Sequence, residues 1–525
     1  MGEILKLDES CISNPKSEIL NWTASYCRHM SNSIFRISDL KCRIRPISKF
    51  PLLCLYIMFL AGCKVGPTYR TPPAPVSTNF KEPPPANWKE AQPQDTALRG
   101  NWWEMFGDAQ LNALEEQVNV TNQNIAAAEA QFRAAQAAVR VAGAGLFPTV
   151  TIGANVTTTR TPPTQTSTRL GFNVGTATFY QLPIGVSYEA DLWGSVRRNI
   201  EANVDTAQAV AAALENVRLS MHAELASDYF QLRGLDEEQR LFEISIKAFE
   251  QSLQLTMNRH RHGIASQLDV SQARTQLETT RAQAIDIGVA RAQFEHAIAV
   301  LIGKPPAEFS IARENFTLQP PEVPVALPTE LLERRPDIAS AERQVAAANA
   351  QIGVAKAAFF PQLTFNLTSG LESLSLSNLL AWPSRFWTLG PSLAQTVFDA
   401  GRRRGITQQA EATYDSAAAT YRQSVLSAFQ EVEDNLAALR ILEEEARQQE
   451  IAIQSAQRST DLSLNRYRGG IATYLDVIVA QAALLDNQRT AVGIHTRRME
   501  AAVLLIQALG GGWNKSELPS SKDLR

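Results

Sequence analysis

Two hydrophobic periods alternate along this chain, and each occurs twice. Between Thr149 and Val156 apolar and small polar residues alternate strictly. Val150, Ile152, Ala154 and Val156 fall on one face, and Thr149, Thr151, Gly153 and Asn155 on the other. After a polar stretch of Pro, Gly and Thr the alternation resumes. Tyr180, Leu182, Ile184, Val186, Tyr188, Ala190 and Leu192 now oppose Gln181, Gly185, Ser187, Glu189 and Asp191. A weaker copy follows with Leu363, Phe365 and Leu367, then Trp387, Leu389, Leu393 and Val397. A period of two with one apolar and one small-polar face predicts barrel strands, although a hairpin on an ordinary core gives the same pattern.

The segments between read as helix. A first helix is expected from about Asp108 to Gly145, ending at Phe147-Pro148. From Ser195 to about His262 there is no Pro, and Gly234 is the one interior breaker. Such a helix would reach roughly 100 Å at about 1.5 Å per residue, a length no compact domain needs. Its apolar positions Leu214, Val217, Met221, Leu225, Tyr229, Leu232 and Leu235 are spaced three or four apart, a coiled-coil period that requires partner helices. Ala207, Ala209 and Ala211 to Ala213 permit close packing. Gly263 suits the left-handed position that ends a helix, and Ser266-Gln-Leu-Asp269 is a capping box for the next. That next helix runs to about Ile302 and stops at Gly303-Lys-Pro-Pro306. The two shorter helices are expected to stack end to end beside the long one.

The chain is a duplication. Arg259-His-Arg-His-Gly263-Ile-Ala-Ser-Gln-Leu-Asp269-Val270 returns as Arg466-Tyr-Arg-Gly-Gly470-Ile-Ala-Thr-Tyr-Leu-Asp476-Val477, an offset of 207. The same offset relates Gly194 to Gly401, Arg233 to Arg440 and Gly303 to Gly510. Upstream it is 213, as Ile125-Ala-Ala-Ala-Glu129 matches Ile338-Ala-Ser-Ala-Glu342 and Phe147-Pro148 matches Phe360-Pro361. Each half should be one unit of helix, two strands and two helices. The expected organisation is an N-terminal extension and signal peptide (1–62), a Pro-rich segment (63–104) and the first repeat (105–303). A Pro-rich connector (304–336), the second repeat (337–510) and a tail (511–525) follow. Pro336 with Asp337 marks a helix start.

Composition narrows the class. With 20% charged and 45% hydrophobic residues the chain is no disordered polyelectrolyte, and a net charge of -3 gives no basis for nucleic-acid binding. No apolar run approaches the ~20 residues of a membrane helix. All five cysteines (Cys11, Cys27, Cys42, Cys54, Cys63) fall in the first 63 of the 525 residues, which excludes a disulfide framework in the body. Lys41, Arg43, Arg45 and Lys49 precede the apolar Pro51–Gly62, a basic region followed by a short apolar region as in a signal peptide. Met30 is a candidate translation start, and residues 1–40 suggest no function. Leu60-Ala61-Gly62-Cys63 resembles a lipoprotein cleavage box, which implies acylation (palmitate) of Cys63; Lys64 after it favours the outer membrane by the same resemblance. Removing 1–62 leaves 42 basic and 48 acidic residues.

From Cys63 to about Trp513 the chain resembles the outer-membrane factors of bacterial tripartite efflux and secretion systems, the TolC and OprM family, in its lipidated NodT-like branch. The marks are Cys63-Lys-Val-Gly-Pro-Thr-Tyr-Arg-Thr-Pro72, Asn101-Trp-Trp-Glu-Met-Phe106-Gly-Asp108, Arg334-Arg-Pro-Asp-Ile338 and the paired Gly-Ile-Ala-Ser/Thr turns. The resemblance implies a mainly α protein with β: a homotrimer whose four strands per chain close a twelve-stranded barrel. A long helical tunnel would continue it through the periplasm. It further implies an exit duct fed by an inner-membrane RND-type transporter through a periplasmic adaptor. Gly263, Ile264, Ala265 and Ser266, with Gly470, Ile471, Ala472 and Thr473, would meet the adaptor. Leu475 and Asp476 match positions that shut the tip, and Val479 stands where a further aspartate is often found. Three copies of Asp476 around a narrow axis would attract cations, and three of Leu475 would exclude water. Asp476 also occupies the N3 position of the Thr473 capping box, so a purely helix-starting role stays open.

Nothing points to catalysis, a cofactor or a metal. His29, His222, His260, His262, His296 and His495 cluster only as His260-Arg-His262, and phosphate-loop, nucleophile-elbow and zinc-protease motifs are absent. Two other functions remain open at this level: a duct for type I protein secretion, and a structural envelope lipoprotein that conducts nothing.

Overall fold

The duplication is built into the helices residue for residue. A computed structural model describes residues 64–77, 79–82, 100–160, 176–314, 319–321 and 331–525, all within one compact unit, Gly62–Arg525. The main elements of the first half are α1 (Ala109–Thr121), α2 (Gln123–Ala144), β1 (Thr149–Ile152), β2 (Asn155–Arg160), β3 (Thr176–Ala190), α3 (Ser195–Arg261) and α4 (Gln267–Leu301). Those of the second are α5 (Pro336–Ala357), β4 (Gln362–Ser373), β5 (Arg385–Ala394), α6 (Arg402–Arg468) and α7 (Tyr474–Ala508). α3 and α6 have 67 residues each, α4 and α7 have 35, and α2 and α5 have 22. The coiled-coil seam holds: Leu214, Leu225, Tyr229 and Leu232 are buried, and Val217, Met221 and Leu235 half-buried.

The helices form a wall of four columns. Near the strands α3 lies between α2 and α5, and away from them between α4 and α7; α6 packs beside α5 and then α7. The shorter helices do stack end to end, and matching residues hold both junctions. Asn122 Nδ2 donates to the Leu301 carbonyl at 2.8 Å, and Arg335 Nη1, its counterpart at offset 213, donates to the Ala508 carbonyl at 2.9 Å. Gly303 and Gly510 close these junctions with φ of 67° and 92°. A Cβ on Gly303 would overlap the Thr121 carbonyl oxygen, and one on Gly510 that of Arg334. The single helix expected from Asp108 to Gly145 is in fact broken at Asn122. Its extended backbone (ψ 123°) caps α2, with the side-chain oxygen accepting from the amides of Asn124 and Ile125.

The strands form one antiparallel sheet in the order β1/β2–β3–β4–β5. The expected first strand appears as two segments in continuous register against β3. Pro183 explains the gap: it lacks the amide that would return the bond its carbonyl accepts from Gly153 at 2.9 Å. On the other side Gly370 sits opposite Pro183, where a Cβ would overlap the Leu182 carbonyl oxygen. Leu192 and Val397, expected on strands, lie beyond their ends; Val397 is 90% exposed. Register places Val150, Ile152, Val156, Tyr180, Leu182, Ile184, Val186, Phe365, Leu367, Trp387, Leu389 and Leu393 on one face across all four strand legs. The other face carries Thr151, Asn155, Gln181, Ser187, Asn366, Thr368 and Thr388. Among the described residues no helix is long and apolar enough to cross a membrane.

The largest core lies where α1 and the ends of α4 and α7 meet the middle of α3, around Leu111, Leu225, Phe230, Ile298, Ile302 and Ile506. Arg233, 1% exposed, ties this core together, donating to the Tyr229 hydroxyl at 3.1 Å, Asp236 at 3.1 Å and the Ala312 carbonyl at 2.9 Å. Its repeat partner Arg440 instead holds Glu82 of the N-terminal segment at 2.8 Å. Both arginines thus fasten an irregular segment to a long helix.

The junctions make a quantitative prediction. Gly303→Ala and Gly510→Ala combine left-handed strain with backbone overlap and should each cost about 2 kcal/mol or more. Gly263→Ala, whose added Cβ meets nothing within 4 Å, should cost only about 1 kcal/mol of strain. Thermal midpoints in detergent check the order; equal losses at all three positions would contradict it.

Candidate functional site

Each long helix turns into its shorter partner at the end of the wall remote from the sheet. Both turns close with the same paired backbone bonds. Ile264 donates to the Arg259 carbonyl and Gly263 to that of His260, both at 2.9 Å; Ile471 donates to Arg466 at 2.9 Å and Gly470 to Tyr467 at 3.0 Å. Gly263 and Gly470, at φ 73° and 76°, supply the left-handed residue this motif needs. Because the backbone satisfies itself, the apical side chains are released: Ile264 is 65% and Ile471 74% exposed. Ala265 and Ala472 are half-buried, and Ser266 and Thr473 exposed.

The following helices start on carboxylates. The Ser266 amide donates to Asp269 at 2.9 Å while Ser266 Oγ accepts the Asp269 amide at 3.1 Å. In the second turn both the amide and the hydroxyl of Thr473 donate to Asp476 Oδ2 at 2.9 Å. Asp476 is therefore already engaged by two donors. Leu475, Asp476 and Val479 share an exposed strip of α7, whereas Tyr474, Val477 and Gln481 are buried against the neighbouring helices.

The two turns are joined by a residue to which sequence reasoning gave no role. Arg259 Nη1 reaches across to the Arg468 carbonyl at 3.0 Å, and its guanidinium lies 4.8 Å from the centre of the Tyr467 ring. Tyr467 packs edge-on against Tyr474 at 5.3 Å, over Ala273 and Val477. Tyr467 and Tyr474 replace His260 and Gln267 of the first repeat. Sites where the copies diverge were the available signal.

Cys63 lies outside the described residues. Its neighbour is held at the corner between sheet and helices: Lys64 Nζ pairs with Glu201 at 2.6 Å, and the Val65 amide donates to the Trp193 carbonyl at 3.1 Å. Arg198, 3% exposed, donates to the carbonyls of Val65 at 3.2 Å and Pro67 at 2.9 Å. Among the described residues no group of three or more His, Cys, Asp or Glu could hold a metal.

A sheet with one predominantly apolar face above a wall of long paired helices defines a protomer of an outer-membrane channel. The profile of the outer membrane efflux protein family matches residues 114–304 and 327–511, segments that begin 213 residues apart and end 207 apart. The chain belongs to that family and is an outer-membrane component of an efflux system. It is 33% identical to the toluene efflux pump outer membrane protein TtgC of Pseudomonas putida over 463 residues, 88% of this chain and 95% of that one. It is 31% identical to the pyoverdine export outer membrane protein OpmQ of Pseudomonas aeruginosa, covering 87% and 97% of the two chains. The crystal structure of the outer membrane protein VceC from Vibrio cholerae superposes with a TM-score of 0.72 at 29% identity, over 78% of this chain and 98% of that one.

Arg259 provides a local test of this geometry. Arg259→Ala removes a charged hydrogen bond and a ring contact, together worth roughly 1–2 kcal/mol. Exchange of the Gly470 and Ile471 amides should accelerate about tenfold or more, with the strand amides unchanged. Unchanged exchange at both would mean that Arg259 does not hold the turns together.

Proposed function

We propose that this protein is the passive exit duct of a tripartite efflux pump, assembled as a homotrimer and anchored by acyl groups on Cys63. The observation that carries this reading is the four-legged sheet with one predominantly apolar face and, among the described residues, two unpaired edges. Unpaired strand edges are not tolerated in hydrocarbon, and four strands are too few to close on themselves. Copies must therefore complete the barrel. Three copies, as in the family resemblance, give twelve strands above a tunnel of helical columns. Solutes would pass from an RND-type transporter through the periplasmic adaptor, which meets Gly263–Ser266 and Gly470–Thr473. The seating of Lys64 at the corner between sheet and helices supports the anchor, because Lys64 is the residue that directly follows Cys63 in the sequence. The function is conduction rather than catalysis.

Leu475 is the gate in this reading, narrowing the axis with an apolar ring. Asp476 adds charge to the same strip while capping α7. In planar bilayers Leu475→Gly should raise resting conductance without adaptor. Asp476→Asn should do the same if the carboxylate gates, and should cost only about 1 kcal/mol locally if it merely caps. With Val479 at the inner position, block by divalent cations should be weak. If both variants conduct like wild type, the constriction lies elsewhere; if the wild type does not conduct in any state, the protein is structural.

Acylation has its own test. Cys63→Ala should leave a folded protein less firmly held in the membrane, and mass spectrometry should find the mature N-terminus modified at Cys63. An unmodified N-terminus at any other residue would refute the anchor.

A further inference from the structure

We infer that the tip is built to receive an acidic partner surface: the adaptor hairpins that dock here carry a surplus of Asp and Glu side chains at their apex. The inference rests on the docking reading above and adds the chemistry of the partner. Within 259–270 and 466–477 each protomer carries Arg259, Arg261, Arg466 and Arg468 against only Asp269 and Asp476. Neither carboxylate pairs with an arginine: Asp269 accepts from Ser266 and Asp476 from Thr473, which leaves a formal surplus of two positive charges per protomer. Among the described residues none of the four guanidiniums lies in an ion pair. Arg259 spends its charge on the Arg468 carbonyl and the Tyr467 ring, and Arg261 bonds the neutral Asn258 side chain. Arg261, Arg466 and Arg468 are exposed beside the exposed Ile264 and Ile471.

Helix ends alone do not account for this charge. Arginines in a last turn complement the partial negative charge of a helix C-terminus, about half a unit per helix. At each turn that half-unit is matched by the opposite half-unit of the helix N-terminus that follows, so the four arginines and two aspartates leave about two uncompensated positive charges per protomer. In the proposed trimer twelve such arginines share one rim, and repulsion between any that lie within the ~8 Å screening length at physiological salt persists. A partner that supplies carboxylates relieves it. The isoleucines then provide apolar contact, and the arginines around them select a partner by charge and speed its capture.

The test uses the full-length trimer with a photo-reactive residue at position 471 and the adaptor from the same cells, both purified. Wild type should cross-link to the adaptor, with a yield that falls steeply at high salt. Arg261→Gln, Arg466→Gln and Arg468→Gln combined should lower the low-salt yield at least roughly tenfold, and Lys at the same three positions should restore most of it. The Lys variant separates loss of charge from loss of fold. A triple Gln variant that cross-links like wild type, with unchanged salt dependence, overturns the charge proposal and leaves docking intact. The same holds if that variant keeps the adaptor but loses only its attachment to phosphatidylglycerol vesicles, since the charge then serves a lipid surface. No cross-link from position 471 in the wild type overturns docking, and the charge proposal with it.

Discussion

An unpaired strand edge has no place in hydrocarbon, and that constraint orders the rest of this molecule. Each free amide or carbonyl left in the bilayer costs several kcal/mol, so a membrane sheet must close. Among the described residues the sheet has four legs, with β1/β2 and β5 at the open edges. Every leg continues into a helical column in the same order, so whatever closes the sheet also closes the wall below it. A protomer with two unfinished edges is therefore incomplete by construction. Barrel and tunnel are two readings of one geometry.

The columns reach their length by duplication rather than by invention. Each half supplies one long helix and two short helices stacked beside it, and the stacking point is where the design is least forgiving. Asn122 and Arg335 bond the carbonyls of Leu301 and Ala508, while Gly303 and Gly510 let the backbones touch. Arg335 also pairs with Asp337 and Glu431, each at 2.7 Å, so the second junction is tied to α6 as well. The repeats diverge where their surroundings differ. Arg233 holds the connector at Ala312 and Arg440 holds Glu82; His260 faces its own turn and Tyr467 builds the contact between turns.

Much of this was legible in the residues. Strand alternation, the 67-residue helices, the glycine turns and the repeat all follow from local periodicity and from glycines at fixed offsets. What was not legible depended on distant partners. The break at Asn122 is invisible in a helical pattern that runs on across it, because its reason is the Leu301 carbonyl 179 residues away. The split between β1 and β2 comes from Pro183 on the opposite strand, not from either segment. Arg259 reads as an ordinary last-turn cation until its partner, a backbone carbonyl of the second repeat, is seen. The position of the apical residues was readable, because a turn that satisfies its own backbone leaves Ile264 and Ile471 exposed at its tip.

The central claim is that copies of this chain close the sheet edges and so form a duct. The most direct measurement is the mass of the intact assembly released from lipid nanodiscs, by native mass spectrometry. Three copies are expected, held together until the strands unfold. A single copy or a pair, stable in lipid and free of larger species, would contradict the account.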